Sequence, residues 1–295
     1  MLESTGERLV PAASHGELVH AEHLARYRLA ARLAGERRVL DAACGEGYGC
    51  ALMAAAGARS VVGVDIDAAT IEHAGASYGL DFRVADVAAL PFADGVFDLV
   101  TSFETIEHVR DPERALDELA RVLADDGVLL ISTPNVAEYL EDNPFHVREF
   151  LPEEFAQALG ARFPHVARLY QQNFIAAAIL DAERLALDDA GRAVPLDAAK
   201  VAGVAPERAL YLIAVCSRRP LPALAGDVAV LADVYEAHEL AAERRAWQER
   251  AHEAERQNAE LRWTLDSTAW RLIQPLRRLG SALRGGSRSG RPERP

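Results

Sequence analysis

Lysine is nearly absent from this 295-residue chain, and acidic side chains outnumber basic ones 45 to 32, for a net charge of −13. A broad phosphate-binding surface needs the opposite sign, so nucleic acid is not expected as a partner. Cysteine is scarce: Cys44, Cys50 and Cys216 are an odd number without metal-like pairing. They form no disulfide framework and read as reduced thiols of a cytosolic protein. No basic segment followed by an apolar one opens the chain, and no run reaches membrane-spanning length. The expected location is therefore the cytoplasm. What is abundant is apolar: half the residues are hydrophobic, with alanine and arginine frequent, as in high-GC bacterial genes. That suffices for one full α/β domain plus an appendage.

Residues 39–49, Val-Leu-Asp-Ala-Ala-Cys-Gly-Glu-Gly-Tyr-Gly, organise the rest. Val39 and Leu40 end a buried strand, Asp41 is expected to leave it pointing outward, and Gly45, Gly47 and Gly49 permit a tight turn onto a helix start. Such a turn cradles a nucleotide-like ligand at the carboxyl edge of a parallel sheet. A second apolar run ends in Asp65, about twenty residues past the first glycine, where an acid accepts ribose hydroxyls. A third ends in Asp86, suited to an adenine amine, with the Val87 N–H beside it.

Strand and helix alternate: helix 17–33, strand 37–42, helix 48–57, strand 60–65, helix 68–77, strands 81–85 and 97–103, helix 111–123 and strand 127–133. Asp111-Pro112 is a helix start, cap then proline, and Asp125-Asp126-Gly127 reads as a turn into the fifth strand. Residues 163–170 and 209–217 supply an antiparallel hairpin. Alternation of this kind means a doubly wound, mostly parallel sheet.

Over residues 37–134 these motifs resemble the class I S-adenosylmethionine-dependent methyltransferases. A nicotinamide-binding Rossmann domain is disfavoured by the Asp-x-x-Cys-Gly-x-Gly pattern. The resemblance implies an α/β, Rossmann-like seven-stranded sheet with helices on both faces and S-adenosyl-L-methionine as methyl donor. Asp41, Gly45 and Gly47 would surround the methionine moiety, Asp65 the ribose, and Asp86 and Val87 the adenine. The helix before the first strand would cover the cofactor with Glu22, His23 and Tyr27; otherwise that is a solvated polar face.

A second constellation follows the fourth strand. Glu104, Glu107 and His108 fall at i, i+3 and i+4, on one side of a helical turn. The later segment Asn143-Pro-Phe-His146-Val-Arg-Glu149 can fold back over the same edge. Two carboxylates and two imidazoles there would make a divalent-cation site with positions left for substrate oxygens. Glu-x-x-Glu-His with a distant histidine resembles the small-RNA 2′-O-methyltransferases, and its first part the ubiquinone-biosynthesis O-methyltransferases. The resemblance implies Glu104, Glu107, His108 and His146 as ligands of Mg²⁺ or Mn²⁺, which would lower the pKa of an acceptor hydroxyl. The other reading makes the glutamate a loop anchor and His146 or His108 the general base. Arg148 and Glu149 either meet substrate or form an ion pair.

The expected organisation is an N-terminal helical cap (1–36), the methyltransferase domain (37–219), a tail (220–285) and a disordered end (286–295). Residues 171–208 insert as a lid or dimer surface. In the tail, Leu240, Trp247, Ala254 and Leu261 repeat at seven, as in a coiled coil, although Arg244 and Asn258 make the seam poor and leave a single solvated helix as the alternative. Residues 264–284 are basic and amphipathic, fit for an anionic membrane surface, for a partner or for a homodimer mate. The Gly6-Glu-Arg start, the Asn-Pro-Phe-His-x-Arg-Glu segment and the Ser267-to-Arg277 tail resemble bacterial polysaccharide and glycolipid enzymes. Their resemblance implies O-methylation of a sugar or glycan hydroxyl. A phenol or catechol acceptor, or an assembly subunit of a glycan-synthesis complex, are the alternatives.

Overall fold

The computed structural model describes residues 18–138, 143–174 and 204–221, together with positions 250, 256, 257 and 262. The chain divides into two units, Met1–Asp233 and Val234–Pro295. In the second, Arg250, Arg256, Gln257 and Arg262 are helical. The coiled-coil, amphipathic and disordered tail segments, and residues 175–203 of the insertion, otherwise lie outside the described residues, as do residues 1–17.

Among the described residues the first unit holds seven strands in the order β3-β2-β1-β4-β5-β7-β6. They are β1 (Arg38–Ala42), β2 (Ser60–Asp65), β3 (Asp81–Val84), β4 (Phe97–Phe103), β5 (Leu123–Pro134), β6 (His165–Gln171) and β7 (Tyr211–Ser217). Pairing is parallel from β3 to β5, while β7 runs antiparallel to both β5 and β6. The expected seven-stranded, Rossmann-like sheet is what the chain forms.

Helices cover both faces because the central strands are buried on both. α1 (Leu18–Ala34), α2 (Tyr48–Ala55) and α3 (Ala68–Tyr78) bring Tyr27, Leu29, Met53 and Ile71 onto one face. α4 (Pro112–Val122) and α5 (Pro152–Gly160) bring Leu116, Leu119, Phe155 and Leu159 onto the other. α4 starts as its residues dictate: the Asp111 carboxylate accepts from Arg114 N at 3.1 Å, and Pro112 fills the first turn.

Two local expectations need correction. Asp125-Asp126-Gly127 is no turn ahead of β5: Leu123 already pairs with Phe97, and the register slips before Leu99 meets Val128. The three residues are taken up in that irregularity. Helix α5 adds to the expected elements, and its residues do announce it: Pro152 in the first turn, Glu153 and Glu154 beside it, and Phe155 and Leu159 one turn apart facing the core.

The strand order reverses between β1 and β4, and both run the same way. Chains therefore leave the two strands in opposite directions above their carboxyl ends and open a crevice there.

Candidate functional site

A cavity of about 810 Å³ occupies that crevice. Its walls come from the β1–α2 loop (Ala43 to Glu46, and Tyr48), the end of β2 (Asp65, Ile66), the segment 85–89, the segment 103–105 and the stretch His108 to Asp111. From α1, His23 and Tyr27 close it. Glu22 turns elsewhere: buried, it accepts from Tyr211 Oη at 2.7 Å and from Asn173.

Asp41 does not point outward. It is wholly buried beneath the loop, where its carboxylate accepts from Thr101 Oγ1 at 2.6 Å, Tyr27 Oη at 3.0 Å and Cys50 Sγ at 3.5 Å. A strand end covered by a helix has no solvent to turn toward, so the carboxylate is satisfied internally. Asp41 is absent from the cavity wall. It ties α1, α2 and β4 together rather than facing the cavity.

Burial pushes the Asp41 pKa up to about 6, against the pull of those three donors. The native state therefore binds the proton more tightly than the unfolded chain, whose carboxyl titrates near 3.8. Stability assigned to this group is full below about pH 4 and falls as pH rises toward 6. The loss is about 3 kcal/mol once Asp41 is ionised. Asp41→Asn keeps the shape and cannot ionise. The stability difference between wild type and Asp41→Asn is expected to move by that amount from pH 4 to 7, in the direction that favours the variant at neutral pH. Denaturant unfolding of both at the two pH values measures it.

Gly45 lines the cavity with φ 53°, and its N–H donates to Asp65 Oδ2 at 3.1 Å. Gly47 does not line it. At φ 84° it lies under the Phe82 ring, which a Cβ would meet at 2.5 Å. Asp65 also accepts from Asp67 N at 3.0 Å, so the carboxylate is held at both oxygens with lone pairs to spare. Asp86 is exposed at the rim, its Oδ1 taking Ala88 N at 2.8 Å, and Val87 follows on the wall.

Beyond β4 the four acidic and imidazole groups do not converge as a set. Glu104 takes a left-handed φ of 48°, rare for a residue with a side chain. It therefore precedes the 3₁₀ turn Ile106–His108 rather than sharing its face. Ser132 Oγ donates to its Oε1 at 2.6 Å, and the buried Arg26 guanidinium stands 3.7 Å away. Glu104 lines the cavity but belongs to a different cluster.

Glu107, His108 and His146 do meet: one donor atom from each lies within 4.8 Å of the others. The two imidazoles stand edge to face at 4.9 Å. Glu107 is wholly buried and takes Thr133 Oγ1 at 2.9 Å on Oε2. No hydrogen bond among the described residues reaches its Oε1. Burial, then Glu104, raises its pKa well above the usual range. His108 alone of the three lines the cavity.

The segment that brings in His146 is tied down directly after that residue and again at Phe150. Val136 N donates to Phe150 O, pairing the end of β5 with Phe150, whose ring is fully buried. Val147 N and Arg148 N both donate to Glu107 O, at 2.8 and 3.1 Å. Arg148 and Glu149 do not pair with each other: Arg148 stands 3.6 Å from Glu113, and Glu149 holds His146.

Thr101, the partner of Asp41, is not among the residues expected at the site, though a hydroxyl inside the apolar run of β4 signals that a neighbouring strand holds a polar partner. Arg26, beside Glu104, and Tyr48, on the cavity wall, join the site without having been expected there. Burial holds the His23 imidazole well below its usual pKa, with Arg26 and His20 adding to the effect, so the residue faces the cavity uncharged.

Residues 40–131 match the family model described as a methyltransferase domain. A protein of Mycolicibacterium smegmatis named a probable S-adenosylmethionine-dependent methyltransferase is 42% identical over 165 residues, 54% of this chain and 63% of that protein. One of the same description from Mycobacterium tuberculosis is 37% identical over 174 residues, covering 57% and 63%. The chain thus spans less than two thirds of the length of these curated relatives. Among solved structures, a chain of the "complex between the Haloferax volcanii Trm112 methyltransferase activator and the putative methyltransferase" superposes with a TM-score of 0.51. It is 22% identical, with 70% of this chain and 93% of that one covered. That likeness concerns the fold.

Proposed function

We propose, on the premise that the chain carries a methyltransferase domain, that it transfers a methyl group from S-adenosyl-L-methionine to a hydroxyl, most readily of a sugar or glycan. The observation that carries the cofactor reading is the Asp65 carboxylate. It is fixed by Gly45 N and Asp67 N, nearly buried, and set in the wall of a cavity large enough for a nucleoside and an acceptor together. Asp65 would accept the ribose hydroxyls, Gly45 and the loop would border the methionine end, and Asp86 with Val87 N–H would read the adenine edge. The cofactor supplies an electrophilic methyl on a good leaving group, so the protein's task is alignment and removal of one proton. His108, on the cavity wall with the His146 ring 4.9 Å away, would take that proton.

The donor set also fits a divalent cation. A buried carboxylate oxygen without a hydrogen bond, beside two imidazoles, is what a cation would satisfy. With Glu104 set apart, one carboxylate and two imidazoles remain, which suits Mn²⁺ better than Mg²⁺. Glu107, His108 and His146 would hold it and lower the pKa of a nearby hydroxyl.

Sugar specificity draws on the Asn143-to-Glu149 segment, which borders this cluster, and on the vicinal oxygens that such a site would bridge. The test is transfer of labelled methyl to sugars bearing adjacent hydroxyls, with singly deoxygenated analogues as controls. Incorporation that needs both hydroxyls supports the reading; equal labelling of mono-hydroxyl acceptors contradicts it. His146→Ala is expected to lower Mn²⁺ affinity at least about 100-fold in calorimetry while leaving S-adenosylhomocysteine affinity within about twofold.

The acidic surface keeps nucleic acid out of the proposal. An oligomer, a protein partner or a membrane surface engaged through the tail stays part of it, tested by deleting residues 220–295 and assaying turnover on a soluble acceptor. Among the described residues no helix is long and apolar enough to cross a membrane, and a cytoplasmic setting is proposed from the thiols, all free and buried.

A further inference from the structure

Apart from the imidazole cluster, the cavity wall holds a carboxylate with one oxygen committed and the other open. Glu104 is the first residue after β4, and its side chain lines the cavity at 15% exposure. The buried Ser132 hydroxyl on β5 pins it twice. Ser132 Oγ accepts from Glu104 N at 3.2 Å and donates to Glu104 Oε1 at 2.6 Å. One hydroxyl thus fixes both the main chain and the side chain of the same residue.

Beside Glu104 stands Arg26, at 1% exposure. Its Nε donates to Gln171 Oε1 at 2.7 Å, and its guanidinium carbon lies 4.4 Å from the centroid of the Tyr211 ring. Neither Nη1 nor Nη2 has a hydrogen bond among the described residues. Glu22, one turn earlier on α1, commits its carboxylate to Tyr211 and Asn173. The ion pair of Arg26 among the described residues is with Glu104, Nη1 to Oε1 at 3.7 Å. A guanidinium this deep needs a counter-charge, and the Glu104 carboxylate supplies it.

Oε2 of Glu104 is left over. No hydrogen bond among the described residues reaches it, and it is not sealed from solvent as Glu107 Oε1 is. A fixed anion with an open oxygen binds a group that brings a proton and no negative charge, and a hydroxyl is such a group.

The strand order says which ligand comes near it. Asp65 closes β2, Gly45 follows β1 and Glu104 follows β4, on neighbouring strands spaced about 4.8 Å apart. With the ribose at the first strand end and the methionine moiety at the second, the third lies on the acceptor side. His108, four residues on and on the same wall, takes the reacting proton, which leaves Glu104 for a different hydroxyl of the same molecule.

We propose that Glu104 binds the acceptor: Oε2 accepts a hydrogen bond from a second hydroxyl, beside the reaction rather than in it, while Ser132 and Arg26 hold the carboxylate in place. This rests on the reading of the chain as an O-methyltransferase of acceptors with adjacent hydroxyls. It gives the need for the second hydroxyl a source in the protein's own side chains. A site built to bond a substrate hydroxyl rejects the analogue lacking it, because a charged group is then left unpaired.

The experiment measures transfer of labelled methyl by the full-length chain to methyl glucoside, methyl galactoside, methyl mannoside and catechol, each beside its forms lacking one hydroxyl. In wild type, loss of one particular hydroxyl should lower kcat/KM about 10- to 100-fold, the worth of a hydrogen bond to a charged acceptor. Glu104→Ala should lose the same factor on the full acceptor and nothing further on the deoxy form, since both changes remove one bond. Glu104→Gln, which keeps an oxygen acceptor without the charge, should fall between. S-adenosylhomocysteine affinity should stay within about twofold in both variants. Ser132→Ala leaves the carboxylate charged and Glu104 N bonded to Ser132 O, and should raise KM about 2- to 10-fold with kcat nearly unchanged.

Deoxygenation that costs the Glu104 variants as much as wild type overturns the proposal. So does S-adenosylhomocysteine binding weakened more than about tenfold in Glu104→Gln, which would assign the carboxylate to the cofactor's ammonium group. If neither Glu104 variant folds, an unchanged KM in Ser132→Ala overturns it. The two readings fail separately. Transfer to catechol and to none of the glycosides removes the sugar and tests Glu104 on catechol against phenol. Transfer to glycosides that needs no second hydroxyl removes the Glu104 contact and keeps the methyl transfer, and transfer to none of the four acceptors contradicts both.

Discussion

Replacing Gly49 by alanine is expected to destabilise the domain by roughly 3–5 kcal/mol, the largest effect expected for an alanine at any of the described glycines. A Cβ at Gly49 would lie 2.0 Å from the Tyr27 ring, well inside any tolerated contact. The ring cannot swing aside cheaply. It is packed edge-on against Tyr48 and Phe103, with centroids 5.0 and 5.1 Å away, and its hydroxyl is bound to Asp41. Displacing it adds the loss of a hydrogen bond to a buried carboxylate, worth roughly 1.5–3 kcal/mol, to an overpacking cost of about 1–3 kcal/mol. Melting should fall by on the order of 10 °C for a domain of this size. Pairing Gly49→Ala with Tyr27→Leu should recover part of the loss, because the two changes share one cause. Simple additivity in that double variant would show that the clash is not the mechanism.

The second large effect concerns the ligand. Asp65→Ala is expected to weaken S-adenosylhomocysteine at least about 100-fold, since two hydrogen bonds to a charged acceptor, at roughly 1.5–3 kcal/mol each, disappear together. The same change frees Gly45 N, so the loop loses the tie that sets its height over the strand ends. Asp65→Asn separates the two contributions: it keeps an acceptor for Gly45 N and loses the charge. An affinity midway between wild type and alanine is the expected result by calorimetry.

The parts of this fold that are legible in the sequence are those where one local signal suffices. The central strands β1, β2, β4 and β5 announce themselves as apolar runs rich in valine, leucine and isoleucine, and Asp111-Pro112 sets a helix start within one residue of where it falls. What a sequence does not report is the direction of a side chain at a strand end. Asp41 and Asp65 look alike in sequence, each an acid closing an apolar run. Only the packing of Tyr27 over the first and the open crevice beside the second make one an internal anchor and the other a wall of the cavity. Glu104 shows the same limit. Spacing puts it on a helical face, but its backbone turns left-handed before the helix begins, which no periodicity reports. The pairing of Glu149 with His146 is equally hidden, because Arg148 beside it offers a nearer cation in sequence and the fold sends that cation to Glu113 instead.

The central claim is that the cavity over β1, β2 and β4 is built for an adenosyl ligand, and the most direct measurement is calorimetric titration of S-adenosylhomocysteine into the wild-type chain. One site per chain with a dissociation constant in the micromolar range, lost in Asp65→Ala and kept in His146→Ala, is the predicted result. A folded wild-type protein that takes up no S-adenosylhomocysteine, by heat or by shift in melting temperature, would contradict it.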